Sequence, residues 1–496
     1  MELRQGVRMR HRVRSMLGAV ALGLALPWGV LAQEGDIVTK QYDDGSFYEG
    51  TFLNGRQHGT GTYTLPNGYS YTGDWVAGEI LGQGVARYPN GSVYEGQFAA
   101  GKPEGRGKIS YANGGSYEGD WTGGKMTGAG IATYPDGSVY TGAFVDGKHH
   151  GQGVQDGPGG YRYEGAWAEG LKDGAGKITY ADGAVYDGTL VAGERQGKGT
   201  LTMPDGLTYV GDWLAGQING TGKLTQPNGD TYEGGFAEGQ RQGTGKTTYA
   251  NGDVFEGVFH ADKRTGQGVF RAQDGTVLEG DWVDGRLTGT GTIRFPDGAT
   301  YAGATKDDQA QGIGKITYAD GSTYDGAWVA GVIQGEGTAT YANGATYTGG
   351  FSAAQPNGQG KLTLADGYSY EGTFVDGQRQ GKGVATYPDG AVYTGDFVAG
   401  LRQGTGEITG PDGFRYTGDW AAGEIDGTGT ATYPNGDVYE GGFAKGRRAG
   451  PGKLTYASGQ IAEGLWENGI LMAPAPPPSE AEPEGEATPA DPASTP

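Results

Sequence analysis

The residues that could do chemistry in this chain come in repeated sets, not in singular constellations. Gly243-Thr244-Gly245-Lys246-Thr247 resembles the end of a phosphate-binding loop. The glycine such a loop needs five residues before Gly245 would stand at 240, which is Gln240. Gly239 is one residue out, and no helical pattern follows to aim its N-terminus at a phosphate. Histidine is scarce: His11, His58, His149, His150 and His260. A metal site needs several convergent ligands, and no spacing here supplies them, so the His149-His150 pair reads as solvated loop residues. Cysteine is absent, which removes thiolate catalysis, Cys-based metal sites and disulfide staples together. No serine sits in a nucleophile elbow. Asp and Glu recur at equivalent places, which suits surface roles better than acid–base catalysis. The chain reads as non-enzymatic, with no cofactor and no metal.

Two repeated sets are left as candidates for binding. The first is a row of aromatics: Trp75, Trp121, Trp167, Trp213, Trp282, Trp328, Trp420 and Trp466. Such rings could stack on sugars or lipid headgroups, or simply fill the groove against the next repeat; packing is the expected role. The second is a row of cations: Arg56, Lys102, Lys125, Lys148, Arg195, Arg241, Arg286, Arg379, Arg402 and Arg447. Lys172, Lys263, Arg264 and Arg448 belong to the same set. Together they read as one mildly basic rim, interrupted by Glu79, Glu194 and Glu424, with Asp-Gly and Asn-Gly turns on the opposite rim.

What must position both rows is a 23-residue period. Tyr48 begins a pattern, Tyr-x-Gly-x-(Trp/Phe)-x-x-Gly-x-x-x-Gly-x-Gly, that recurs eighteen times without insertion or deletion from 48 to 461. A half repeat follows over 462–472, with Gly464, Trp466 and Gly469. A strict period of this length signals a repeat array. Take the anchor aromatic as position 0. Positions 0, 2 and 4 alternate with polar residues, as in Tyr71-Thr-Gly-Asp-Trp75, and predict a half-buried strand. Positions 11 to 17 predict a second strand. Asn-Gly or Asp-Gly at positions 19 and 20, as at Asn67-Gly68 and Asp136-Gly137, predicts the tight turns, with Gly at position 7 in a looser connection. Glycines at 2, 11 and 13 would clear the ring-bearing face so that neighbouring rings stack over bare backbone. The expected fold is all-β: an elongated, twisted, single-layer antiparallel meander of hairpin repeats, open at both ends. The pattern weakens around Phe255 to Gln311, where Asp262 and Asp308 replace the loop glycine, Leu278 the anchor and Thr305 the tryptophan. Ala354 is a later lapse. Drift accounts for this, and a hinge or docking patch is the sharper alternative.

The extended pattern, Tyr-x-Gly-x-Trp-x-x-Gly-x-x-x-Gly-x-Gly-x-x-x-Tyr-x-(Asp/Asn)-Gly, resembles the MORN repeat (membrane occupation and recognition nexus). Tyr71–Gly91, Tyr163–Gly183, Tyr324–Gly344 and Tyr416–Gly436 are close copies. The resemblance covers residues 42 to 469. It implies a β-hairpin array used for binding and spacing, in a family that includes membrane-associated members, protein scaffolds and dimerisation modules.

The ends differ in composition. Arg4, Arg8, Arg10, Arg12 and Arg14 precede an uncharged apolar stretch, Met16 to Val30, and Val30-Leu31-Ala32 fits cleavage before Gln33. Residues 1–32 read as a secretory signal peptide, and 33–47 as an N-terminal edge or cap. Without the leader, 32 basic and 57 acidic residues remain, a formal charge of −25. That balance repels nucleic acid. Residues 473–496 are rich in Pro, Glu and Ala and are expected to be disordered. The function expected is an exported, periplasmic or cell-surface scaffold for protein partners or self-association. The alternative is membrane-lipid or envelope-glycan contact along the basic rim and the aromatic row.

Overall fold

The computed structural model describes residues 35–474, so the leader and all but two residues of the tail lie outside it. The described residues divide into two compact units, one up to residue 194 and one from residue 195. The first runs from β1 (Val38–Gln41) to β14 (Val185–Val191), the second from β15 (Glu194–Thr202) to β39 (Ile470–Pro474). Within each unit every strand pairs antiparallel with its neighbours in sequence, which makes each unit an open meander. The only helical segment among the described residues is one 3₁₀ turn, Pro158–Gly160.

One repeat shows the construction. Ser70–Val76 and Glu79–Arg87 form its two strands. They are joined by Ala77 and Gly78, both at positive φ (53° and 94°). Two left-handed residues in a row make a type I′ hairpin, whose twist matches that of the strands. The tight turn is thus at positions 6 and 7, not at the Asn-Gly and Asp-Gly pairs. Those pairs sit in a five-residue connection. Leu65 N–H donates to Tyr69 O at 2.8 Å and Gly68 N–H to Leu65 O at 3.0 Å. Only the glycine there is left-handed, at 91° for Gly68. The Asn or Asp acts through its side chain: Asn67 Oδ1 accepts from Tyr69 N–H at 3.0 Å, and Asp136 Oδ1 from Ser138 N–H at 2.8 Å. These are Asx turns, a second use of the same residues in turns.

The glycines divide by role as well. A Cβ on Gly84 or on Gly73 would come within 2.5 Å of the Tyr71 hydroxyl, so positions 13 and 2 are bare because the anchor ring lies across them. Position 11 is different. Gly82 has φ +113°, and its Cβ would meet Asp74 Oδ2 at 2.6 Å, not a ring. It sits in a bulge: Gly73 pairs with Gly84, but Trp75 pairs with Ile80, so two residues of one strand span four of the other.

Every anchor Tyr is buried, most of them fully. The Tyr, Phe and Trp rings do not stack on one another. Tyr48 meets Trp75 at 5.2 Å and 81°, and Tyr71 meets Phe98 at 4.9 Å and 79°. An aromatic anchor presents an edge-to-face contact to its own position-4 ring and to that of the next repeat; the row is interrupted at Leu190, Leu278 and Thr305, which carry no ring. This geometry suits the ring quadrupoles better than a flat stack. The core is therefore a ladder of T-shaped contacts on one face of the sheet.

Candidate binding surfaces

The eight tryptophans belong to this ladder. They are 1% to 6% exposed. Each indole N–H donates to the carbonyl of the position-13 glycine one repeat earlier: Trp75 to Gly61 at 3.2 Å, Trp121 to Gly107 at 3.1 Å, Trp282 to Gly268 at 2.9 Å. Trp167, Trp213, Trp328, Trp420 and Trp466 do the same. Their faces are spent on packing, and no sugar or headgroup can reach them without opening the sheet.

The basic rim resolves into two rows on opposite faces, because neighbouring residues in a strand point opposite ways. Position 8 starts the second strand and is exposed in Arg56, Lys102, Lys125, Lys148, Arg286 and Arg447. Several of these pair with an acid one repeat on: Lys125 with Asp146 at 2.9 Å, Lys148 with Glu169 at 2.7 Å and Arg286 with Asp308 at 3.9 Å. Such exposed pairs contribute little.

Position 9 faces the rings. Arg195 lies 4.2 Å from the Trp213 ring centre and Arg402 4.2 Å from Trp420. Arg241 covers Phe259 at 5.1 Å, and Arg379 covers Phe397 at 5.6 Å. The guanidinium also donates to the next tight turn: Arg195 to Gly216 O at 2.7 Å, Arg402 to Gly423 O at 2.6 Å, and Arg241 to Asp262 O at 2.7 Å. Four of the ten rim residues are therefore clamps between repeats, fixed by cation–π contact and a charged hydrogen bond.

His149 occupies position 9 of the fifth repeat, and it is not a solvated loop residue. Its ring stacks on Tyr140 at 3.6 Å, and Nε2 shares a 2.6 Å hydrogen bond with the Tyr134 hydroxyl. Burial first, and then the nearby charge of Lys172, push its pKa down to about 4.

Two determinants were not singled out in the sequence. Position 10 carries a side-chain acceptor that takes the N–H of the next tight turn: Gln380 from Ala399 at 3.0 Å, Asp173 from Ala192 at 3.1 Å. The signal was the frequent Gln, Asn, Asp, Glu or Thr at that place. Asp at position 3 caps the bulge, as Asp212 accepts from Thr221 N–H at 2.9 Å. The ladder register also continues through Phe255 to Gln311, where Thr305 lies buried in the tryptophan's place.

The face opposite the rings stays open. Positions 1 and 14 alternate along it as a central stripe, with Lys108 and Glu118 at 3.4 Å and Lys246 and Glu256 at 2.7 Å. In the second unit this face forms a groove of about 880 Å³, bordered by Lys361, Glu371, Lys382 and Glu407 among threonines. Among the described residues no group of acids and histidines is arranged to hold a metal ion, and no helix is long and apolar enough to cross a membrane.

No curated protein matches the chain. Likeness to solved structures is slight. The SAS-4 (dCPAP) TCP domain of Drosophila melanogaster, in complex with a proline-rich motif of Ana2, is 20% identical over 30% of this chain and 82% of that one, at TM-score 0.20. The TCP10 domain of Danio rerio CPAP, in complex with a STIL peptide, is 16% identical over 56% and 96%, at TM-score 0.18. A streptogramin B lyase is 12% identical over 59% and 91%, at TM-score 0.11. Overlaps this loose carry no functional argument. The sequence family is another matter. The MORN repeat matches eighteen consecutive segments, from 48–68 to 439–461, one for each turn of the ring ladder. The chain belongs to the MORN-repeat family, whose members serve as repeat scaffolds that bind proteins or membranes.

Proposed function

We propose that this protein is an exported, non-enzymatic scaffold that binds other proteins along the open face of its sheet. The observation that carries this reading is the division of labour between the faces. The rings and position-9 cations are consumed in holding repeats together, whereas position 1 is exposed in every repeat and position 14 beside it is exposed or half-exposed. Repeated weak contacts on such a stripe add up by avidity. A lipid or glycan surface finds less support, because the tryptophans are buried and Arg195, Arg241, Arg379 and Arg402 are engaged with rings.

The Arg-rich, then apolar, leader at residues 1–32 supports export, to the periplasm or the cell surface. Together with the absence of Cys and the uninterrupted repeats it supports a Gram-negative-type bacterial source. Mass spectrometry of the secreted chain should find its first residue at Gln33; an intact leader would refute the processing. Affinity capture against envelope proteins, with anionic vesicles and cell-wall glycan as parallel arms, tests the binding. Charge reversal across the stripe at Lys223, Glu233, Lys246 and Glu256 should remove protein capture. Capture unchanged in that variant, or retention on vesicles alone, overturns the reading.

A further inference from the structure

We propose that copies of this chain join head to tail by completing one shared β-strand; this rests on the scaffold reading and adds how the scaffold grows. The two ends of the array are complementary halves. At the head, β1 covers β2 (Phe47–Leu53) only from Phe47 to Gly50, and among the described residues Thr51 to Leu53 have no ladder partner on that side. At the tail, β39 covers β38 (Ile461–Glu467) only from Gly464 to Glu467, and among the described residues nothing pairs with Ile461, Ala462 and Glu463 on that side. In the repeat frame β1 supplies positions 13 to 16 and β39 supplies positions 8 to 12. Internal repeats make this span as one nine-residue strand, such as β3 (Arg56–Thr64). Placed end to end, the two half strands run in the same direction and rebuild it. An uncovered strand edge is a template for such pairing.

The side chains fit the same joint. Position 13 is glycine in all eighteen repeats because the anchor ring lies across it; at Gly84 a Cβ would come 2.5 Å from the Tyr71 hydroxyl. The head strand instead has Val38 at position 13, and the last half repeat has Ala462 in place of the anchor. Each departure from the pattern answers the other: the missing ring leaves room for the valine. Exposed aliphatics also gather at the ends. Ile37 is 73% exposed, Ile470 66% and Met472 62%. Phe52, with no repeat before it, is only half-buried, whereas Phe98 is 3% exposed.

Two adjustments are needed. Pro474 now lies opposite Gly464, the place Val38 would take. In the preceding repeat the equivalent Pro451 sits in the bulge, and Gly441 pairs with Gly452. Shifting β39 into that internal register frees Gly464. Gly35 to Ile37, which lie outside any strand and of which Gly35 is close to Phe52 O, must lift away. Beyond Pro474 the sequence continues with Pro476, Pro477 and Pro478, which have no N–H to donate to a ladder.

Sedimentation velocity of the full chain over a wide concentration range tests the joint. The expected result is a mass that rises in whole-chain steps. Ala462→Tyr restores the consensus ring and should leave the fold intact by circular dichroism, yet weaken association by roughly tenfold or more, through overpacking against Val38. Adding Val38→Gly should restore association in that background. A wild-type mass that never rises, Ala462→Tyr associating like wild type, or a double variant that stays apart would each overturn the joint. A monomer that still captures envelope proteins would remove the joint and leave the scaffold reading standing.

Discussion

Lys125 and Arg402 hold adjacent places in the repeat, positions 8 and 9, and the sheet gives them opposite tasks. Lys125 stands in solvent on the open face and meets Asp146 at 2.9 Å. Arg402 lies over the Trp420 ring and donates to Gly423 O on the other face. The same holds along each unit. One face is a structural seam in which each repeat packs against the next. The other is a surface whose side chains contribute little to folding.

The comparison is broken most severely at the anchor. Tyr117→Ala empties a fully buried site that holds Trp121 and Phe144 edge to face, and should cost about 3–5 kcal/mol. Its neighbour on the open face, Glu118→Ala, should stay within about 0.5 kcal/mol. Denaturant melts compare the two directly, and hydrogen exchange should place the Tyr117 damage in flanking repeats. Equal effects would deny the two-face division. Next in size, Arg402→Ala should cost about 1–2 kcal/mol from the lost ring contact and hydrogen bond. Lys125→Ala should leave the melting temperature unmoved. A larger loss at Lys125 than at Arg402 would invert the assignment.

His149 offers a pH test of the ring face. Its folded pKa of about 4 lies below the ordinary histidine value near 6.5. Between those values the unfolded chain binds a proton that the folded ring refuses, so stability falls as pH drops through that window. Wild type should lose on the order of 1 kcal/mol more than His149→Gln between pH 7 and 4, after allowance for partial solvent exposure. Parallel pH profiles would contradict the buried placement. Smallest is Ala354→Gly. Ala354 holds φ 63° where the other tight turns mostly have glycine, so the substitution should raise stability by about 1 kcal/mol. No gain in the denaturation midpoint would mean that strain there is already relieved.

Much of the fold was legible in the residues. The 23-residue period, the alternation Tyr-x-Gly-x-Trp and the glycines at positions 2 and 13 dictate hairpins with one ring-bearing face. Turn type was not legible. Asn67-Gly68 reads as a tight hairpin, but type I′ geometry went to Ala77-Gly78, because the cross-strand register closes there and leaves five residues to the Asx turn. Gly82 read as another bare floor for a ring, yet it serves a bulge that only the pairing of two strands reveals. The cations read as one rim because linear spacing does not record which face a residue takes after a two-residue turn.

What this sequence determined by itself is the unit and its repetition: period, strand count per repeat, the buried aromatics and the family. Local propensity and periodicity carry that information, and eighteen copies remove its ambiguity. What only the tertiary structure decided is the use of each side chain. Arg402 is a clamp and Lys125 a surface charge, and His149 sits among rings, because packing one repeat against the next chooses which side of a strand is buried. The same packing leaves Ala462 and Val38 at opposite ends as matching departures from the pattern, a relation visible only once the register of both terminal strands is known.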